Sequence, residues 1–102
     1  MNIKFFDSPV EKFIDSLERP TRAKIFRAID LLDMFGNKLG LPHSKKVDSH
    51  LFELRARGKQ EIRIFYTFHK DSAVLLHGFI KKSQRIPKKE IDMAIQKLKL
   101  LD

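Results

Sequence analysis

The sequence predicts an α+β fold: an N-terminal helical hairpin packed on a small, mainly antiparallel twisted sheet, with a C-terminal helix. Three observations carry this. Apolar residues recur at helical spacing between Val10 and Phe35. They alternate with other residues at strand spacing from Phe52 to Phe68. Helical spacing returns after Pro87. A length of 102 residues fits one domain, 1–102, and a hydrophobic content of 42% supplies one modest core.

Asn2 to Phe6 is a short apolar run and reads as an edge strand. Ser8-Pro9-Val10-Glu11 reads as a helix start: Ser8 can cap, Pro9 suits the first helical position, and Glu11 stands three residues after the cap. Val10, Phe13, Ile14 and Leu17 then form one apolar helix face, and Pro20 breaks it. Ile25, Ala28, Ile29, Leu32 and Phe35 predict a second helix from Thr21 to Phe35, stopped by Gly36-Asn37. A short break between the two helices predicts a hairpin. Asn37 to Ser49, with Gly40, Pro42 and no clear period, reads as a loop.

The strands come next. Phe52, Leu54 and Ala56 alternate with Glu53, Arg55 and Arg57; Ile62, Ile64, Tyr66 and Phe68 alternate with Arg63, Phe65 and Thr67. A shared apolar face requires residue 54 opposite 64 and residue 56 opposite 62. The same register sets Arg55 opposite Arg63 and Arg57 opposite Glu61. It leaves a three-residue turn, Gly58-Lys59-Gln60, with a glycine available for positive φ. Ala73 to Ile80 is apolar on both faces, as in a strand covered on both sides or lining a groove. Pro87 opens the last helix, whose apolar stripe is Ile91, Ala94, Ile95, Leu98 and Leu101.

The absence of cysteine excludes disulfides and thiolate metal sites. His43, His50, His69 and His77 show no metal spacing, and no acidic cluster accompanies them, so no metal and no other cofactor is expected. His50 and His69 read as turn-flanking surface residues and His77 as a satisfied core histidine. No apolar run approaches a membrane span, and MNIKFFDSPVEKF lacks a signal peptide's apolar segment. A soluble, cytoplasmic protein with no membrane partner is the expectation.

Net charge is +8, unevenly spread. Residues 1–42 carry seven basic and six acidic side chains, whereas residues 43–102 carry fourteen and seven. A lopsided excess suits a polyanionic partner, nucleic acid above all. A solvated lysine-rich surface explains the charge equally well.

The chemistry concentrates on the sheet. Like charges directly opposite destabilise a strand pair, so Arg55 and Arg63 require an anion, a carboxylate or solvent between them. Glu53, Glu61 or the last helix can provide the carboxylate. Phe65 lies on the same face, where an exposed ring stacks a base beside phosphate-binding cations. Burial under a helix is the alternative for Phe65.

The segments Leu51-Phe52-Glu53-Leu54-Arg55, Arg63-Ile64-Phe65-Tyr66 and His77-Gly78-Phe79-Ile80-Lys81-Lys82, followed by Pro87, Glu90-Ile91 and Ala94, bring a family resemblance. In order and spacing they resemble the RelE/ParE superfamily of bacterial toxins, and within it the HigB-like, phage-derived branch. The resemblance covers nearly the whole chain. It implies a RelE-like fold and the toxin of a type II toxin–antitoxin pair. Most toxins of this kind are endonucleases that cut mRNA in the ribosomal A site, in a reaction that uses no metal. The implied partners are the ribosome and mRNA, a helix-turn-helix, HigA-like antitoxin, and operator DNA only through the antitoxin complex.

In the reaction the resemblance implies, the ribose 2′-hydroxyl attacks the adjacent phosphate and expels the 5′-oxygen. That needs a base, an acid and positive charge around the phosphate. Carried over, Arg63 looks like the family's phosphate-stabilising strand arginine. Lys82, with Lys81, stands where the family places a basic residue after the last strand, and Arg55 falls close to basic positions of the preceding strand. Arg57, Lys45, Lys81 and Phe65 are the expected RNA contacts. RelE has a catalytic tyrosine in its C-terminal segment; here the only tyrosine is Tyr66, on the predicted apolar face. The expected base is therefore His43, Lys45 or Lys46, with His77 behind them. A ParE-like gyrase poison and a nucleic-acid-binding module without turnover are the competing readings.

Overall fold

A computed structural model describes residues 1–101. Five strands form one sheet: β1 (Asn2–Phe5), β2 (Ser44–Asp48), β3 (Leu51–Arg57), β4 (Glu61–His69) and β5 (Ser72–Lys81). Three helices accompany it: α1 (Ser8–Asp15), α2 (Arg19–Phe35) and α3 (Lys88–Lys99). The spatial order is β1-β5-β4-β3-β2. All neighbours run antiparallel except β1, which joins β5 in parallel. The class is α+β, as expected, with a mixed sheet.

The helix boundaries follow local chemistry, with two corrections. Asp7, rather than Ser8, caps α1, its carboxylate accepting from the Val10 amide at 3.3 Å. Pro20 does not break a helix; it sits in the first turn of α2, where a missing N–H costs nothing. Gly36, at φ +55, ends α2, and its N–H donates to Leu32 O. A Cβ on Gly36 would also meet Met1 Cε at 3.2 Å.

A third correction concerns Asn37 to Ser49. It is not all loop, because Ser44–Asp48 adds β2 to the free edge of β3. The β3–β4 register is the expected one, with Leu54 opposite Ile64, Ala56 opposite Ile62, and Arg55 opposite Arg63. Gly58 turns that hairpin without a positive φ; the left-handed residues are Lys70 and Asp71, which link β4 to β5.

Apolar residues pack on both sides of the sheet. Leu54, Ala56, Ile62, Ile64, Tyr66, Ala73 and Leu75 face α1 and α2. Phe65, Val74, Leu76 and Phe79 face Ala94 and its neighbours on α3. A bulge in β5 matters here: Phe65 pairs with His77 but Tyr66 pairs with Leu75, leaving Leu76 extra. The extra residue puts Leu76 and His77 on the same side, toward α3. Lys97 Nζ then donates to Leu76 O at 2.9 Å, and His77 Nε2 lies 2.8 Å from Glu90 Oε1. Lys97 also pairs with Asp7 at 3.0 Å. α3 is thus fixed at both ends over one half of the sheet face, and the other half stays open.

Candidate functional site

The open half is a basic groove. Its floor is β3 and β4; its walls are β2, the end of β5 and the segment leading into α3. Two adjoining hollows of about 500 and 560 Å³ share Arg57, Arg63, Lys81 and Gln84. Glu61, Lys82 and Ser83 complete one; Lys45, Lys46, Glu53, Arg55 and Arg85 help line the other. Cations outnumber carboxylates throughout, which favours a phosphate-bearing ligand.

Glu53 organises the floor. It is 2% exposed, and its Oε1 accepts from Arg55 Nε at 2.7 Å and lies 3.7 Å from Arg63 Nε. The Arg63 guanidinium donates to Glu61 Oε2 at 2.8 Å and to Ile62 O at 3.3 Å. A carboxylate therefore separates the two facing arginines, one of the three offsets the sequence allows. Glu53 Oε2 and Arg63 Nε are buried without a hydrogen-bond partner, an arrangement that costs stability.

The candidate residues divide by position. Arg55, Arg57, Arg63, Lys45, Lys46, Lys81 and Lys82 all line the groove. Arg63 is its buried floor, with a side chain 3% exposed, and Lys82 is exposed at its mouth. Lys81 Nζ donates to Ser83 O at 2.7 Å, which bends the segment after β5 over the groove. Phe65 is a correction: it is fully buried under α3, its ring 5.6 Å from that of Phe79, so no base can stack on it. The apolar stripe of α3 needs an apolar sheet face beneath it, and Phe65 supplies that.

His43 is not in the groove. It lines a pocket of about 240 Å³ between α2 and the end of β3, with Lys24, Arg27, Ala28, Leu31, Pro42, Arg55, Ala56 and Arg57. Its carbonyl accepts from Arg55 N at 2.8 Å, where β2 gives out. His77 is engaged with Glu90 beneath α3, the satisfied state expected of it. Tyr66 belongs to the core, 1% exposed, so it offers no base at the surface. Glu53, one of the carboxylate sources the sequence offers between the facing arginines, is the one that sits between them. Arg85 was missed as a groove residue; it follows β5 outside any periodic segment and gave no signal.

The model of the family described as phage derived protein Gp49-like (DUF891) matches residues 12–99. The chain belongs to this family. It is a family of RelE/toxin-like proteins. The match takes in every strand except β1, all three helices apart from the first turn of α1, and every groove residue. No curated protein matches this Gp49-like chain. No helix among the described residues is long and apolar enough to cross a membrane.

Proposed function

We propose that this Gp49-like protein is the RelE-type toxin of a type II toxin–antitoxin pair, with a RelE-like fold of the HigB-like branch. Its activity in this reading is ribosome-dependent, metal-independent mRNA cleavage in the cytoplasm. The single observation that supports it is the groove: facing arginines held apart by a buried carboxylate, under exposed lysines. Arg55 and Arg63 supply charge where the pentacoordinate phosphate gathers its own. Lys82 stands at the mouth, placed to give a proton to the departing 5′-oxygen. Lys46 stands on the opposite wall, placed to take the proton of the 2′-hydroxyl. Lys45, Arg57 and Lys81 hold the flanking phosphates. The partner that silences it is a helix-turn-helix antitoxin, which also carries the pair to operator DNA.

Binding without turnover is the second reading. It is favoured by Arg63, which is buried and whose two terminal nitrogens already donate to Glu61 and Ile62 O. One experiment separates the two. The purified protein is added to a translating extract, and mRNA ends are mapped. New ends within translated codons, lost in Lys82→Ala and Lys46→Ala variants that still bind RNA, support cleavage. Arrest with intact mRNA leaves the binding reading, and unimpaired translation overturns both.

A further inference from the structure

We propose that the pocket between α2 and β3 holds one nucleobase of the same RNA strand whose phosphodiester lies in the basic groove. The proposal rests on the functional reading above and adds a determinant of sequence preference to it.

Three observations carry it. The pocket and the groove share Arg55 and Arg57, so a strand leaving the groove meets the pocket next. They connect because β2 starts opposite Leu54: beyond Ser44 the margin of β3 has no strand neighbour, and the chain can pass from one face of the sheet to the other. The pocket is also lined by cations and apolar surface with no carboxylate. Ala28 and Leu31 form an apolar wall, the exposed His43 and Pro42 lie across from α2, and Lys24 and Arg27 stand as cations on α2. A base stacked on the imidazole against this apolar wall, with its phosphates on flanking cations, combines the two elements of single-strand recognition, a stacking ring and a basic track. At about 240 Å³ the pocket lies below the roughly 300–1,000 Å³ of ligand sites, which suits one ring system rather than a helix.

The test uses the full chain and a short single-stranded RNA in which one abasic nucleotide is walked along the sequence. Wild-type protein loses about ten-fold in affinity at one abasic position. His43→Ala with Arg27→Glu, both exposed and outside the core, binds every member of the series equally. Cleavage in a translating extract is read in parallel. An RNA affinity insensitive to position, or a sensitivity the double variant keeps, overturns the base pocket while leaving the groove intact. Wild-type protein that neither binds RNA nor cuts mRNA overturns both readings. Protection of residues 24–31 from hydrogen exchange by a glutamate-rich peptide, but not by RNA, reassigns the pocket to an acidic protein partner and overturns the proposal.

Discussion

The Tyr66 hydroxyl lies 2.5 Å from Ser44 Oγ, a buried hydrogen bond that ties the edge strand β2 to the core of β4. Burial pushes the Tyr66 phenol above its ordinary 10.0, and the Ser44 hydrogen bond offsets part of that rise. A raised acid binds its proton more tightly in the folded state. Tyr66 therefore contributes stability that is full below pH 10.0 and is lost as pH rises toward its folded value. Tyr66→Phe is expected to cost about 1 kcal/mol at neutral pH by stranding Ser44, and to lose less stability on alkaline titration than wild type. Urea unfolding at stepped alkaline pH measures both; parallel curves for the two proteins refute it.

Removing the carboxylate of Glu53 is expected to be severe. Glu53→Ala leaves Arg55 and Arg63 facing each other over a buried void, and loss of one partner from a buried ionic cluster costs about 3–5 kcal/mol. Adding Arg63→Leu is expected to recover part of the loss, because it removes the stranded charge. Denaturant unfolding of the singles and the double gives the coupling; simple additivity argues that Glu53 does not hold Arg63.

Gly78 and Gly58 are expected to differ. A Cβ on Gly78 would lie 2.5 Å from Phe13 Cδ2, within the layer of α1 on β5, so Gly78→Ala is expected to destabilise by about 1–3 kcal/mol. A Cβ on Gly58 meets only the Lys24 side chain, which can swing away. Gly58→Ala is expected to be near neutral. Thermal melts of the pair check this, and equal losses contradict it.

Lys82 and Arg63 also part company. Lys82 is exposed and belongs to no apolar face, whereas Arg63 is buried and ion-paired with Glu61 and Glu53. Lys82→Ala is expected to keep its melting temperature and to lower the salt slope of RNA binding by about one unit. Arg63→Ala is expected to lose both stability and binding. An unchanged slope for Lys82→Ala places that lysine outside the phosphate path.

Much of the fold was legible because apolar periodicity acts in both helices and paired strands. Leu54, Ala56, Ile62 and Ile64 share a face only in registers that differ by two residues, the short turn at Gly58-Lys59-Gln60 selects one of these, and Arg55 against Arg63 followed from it. β2 was not legible: Lys45, Lys46 and Asp48 are exposed at a sheet edge, so no apolar alternation marks them. The turn after His69 was expected, but its left-handed backbone at Lys70-Asp71 was not marked, since it carries none of the glycine or asparagine usual at such positions. In the site, sequence placed the cations on the correct face but could not assign depth. Whether Phe65 was covered depended on where α3 lies, and that depends on the bulge at Leu76.

The parallel pairing of β1 with β5 sets an order of assembly. The β3–β4–β5 meander closes through turns of three and two residues, so each strand finds its neighbour locally. Asn2 pairs with Ser72, and that contact closes a loop spanning both α1 and α2 and most of the sheet. The entropy of so long a closure is recovered only once β5 already offers a formed edge. β1 is then the last strand to dock. Pulsed hydrogen exchange during refolding is expected to protect the β4–β5 ladder before the Phe6 amide, which donates to Leu75 O at 2.9 Å. Simultaneous protection would mean that β1 docks as the meander forms rather than after it.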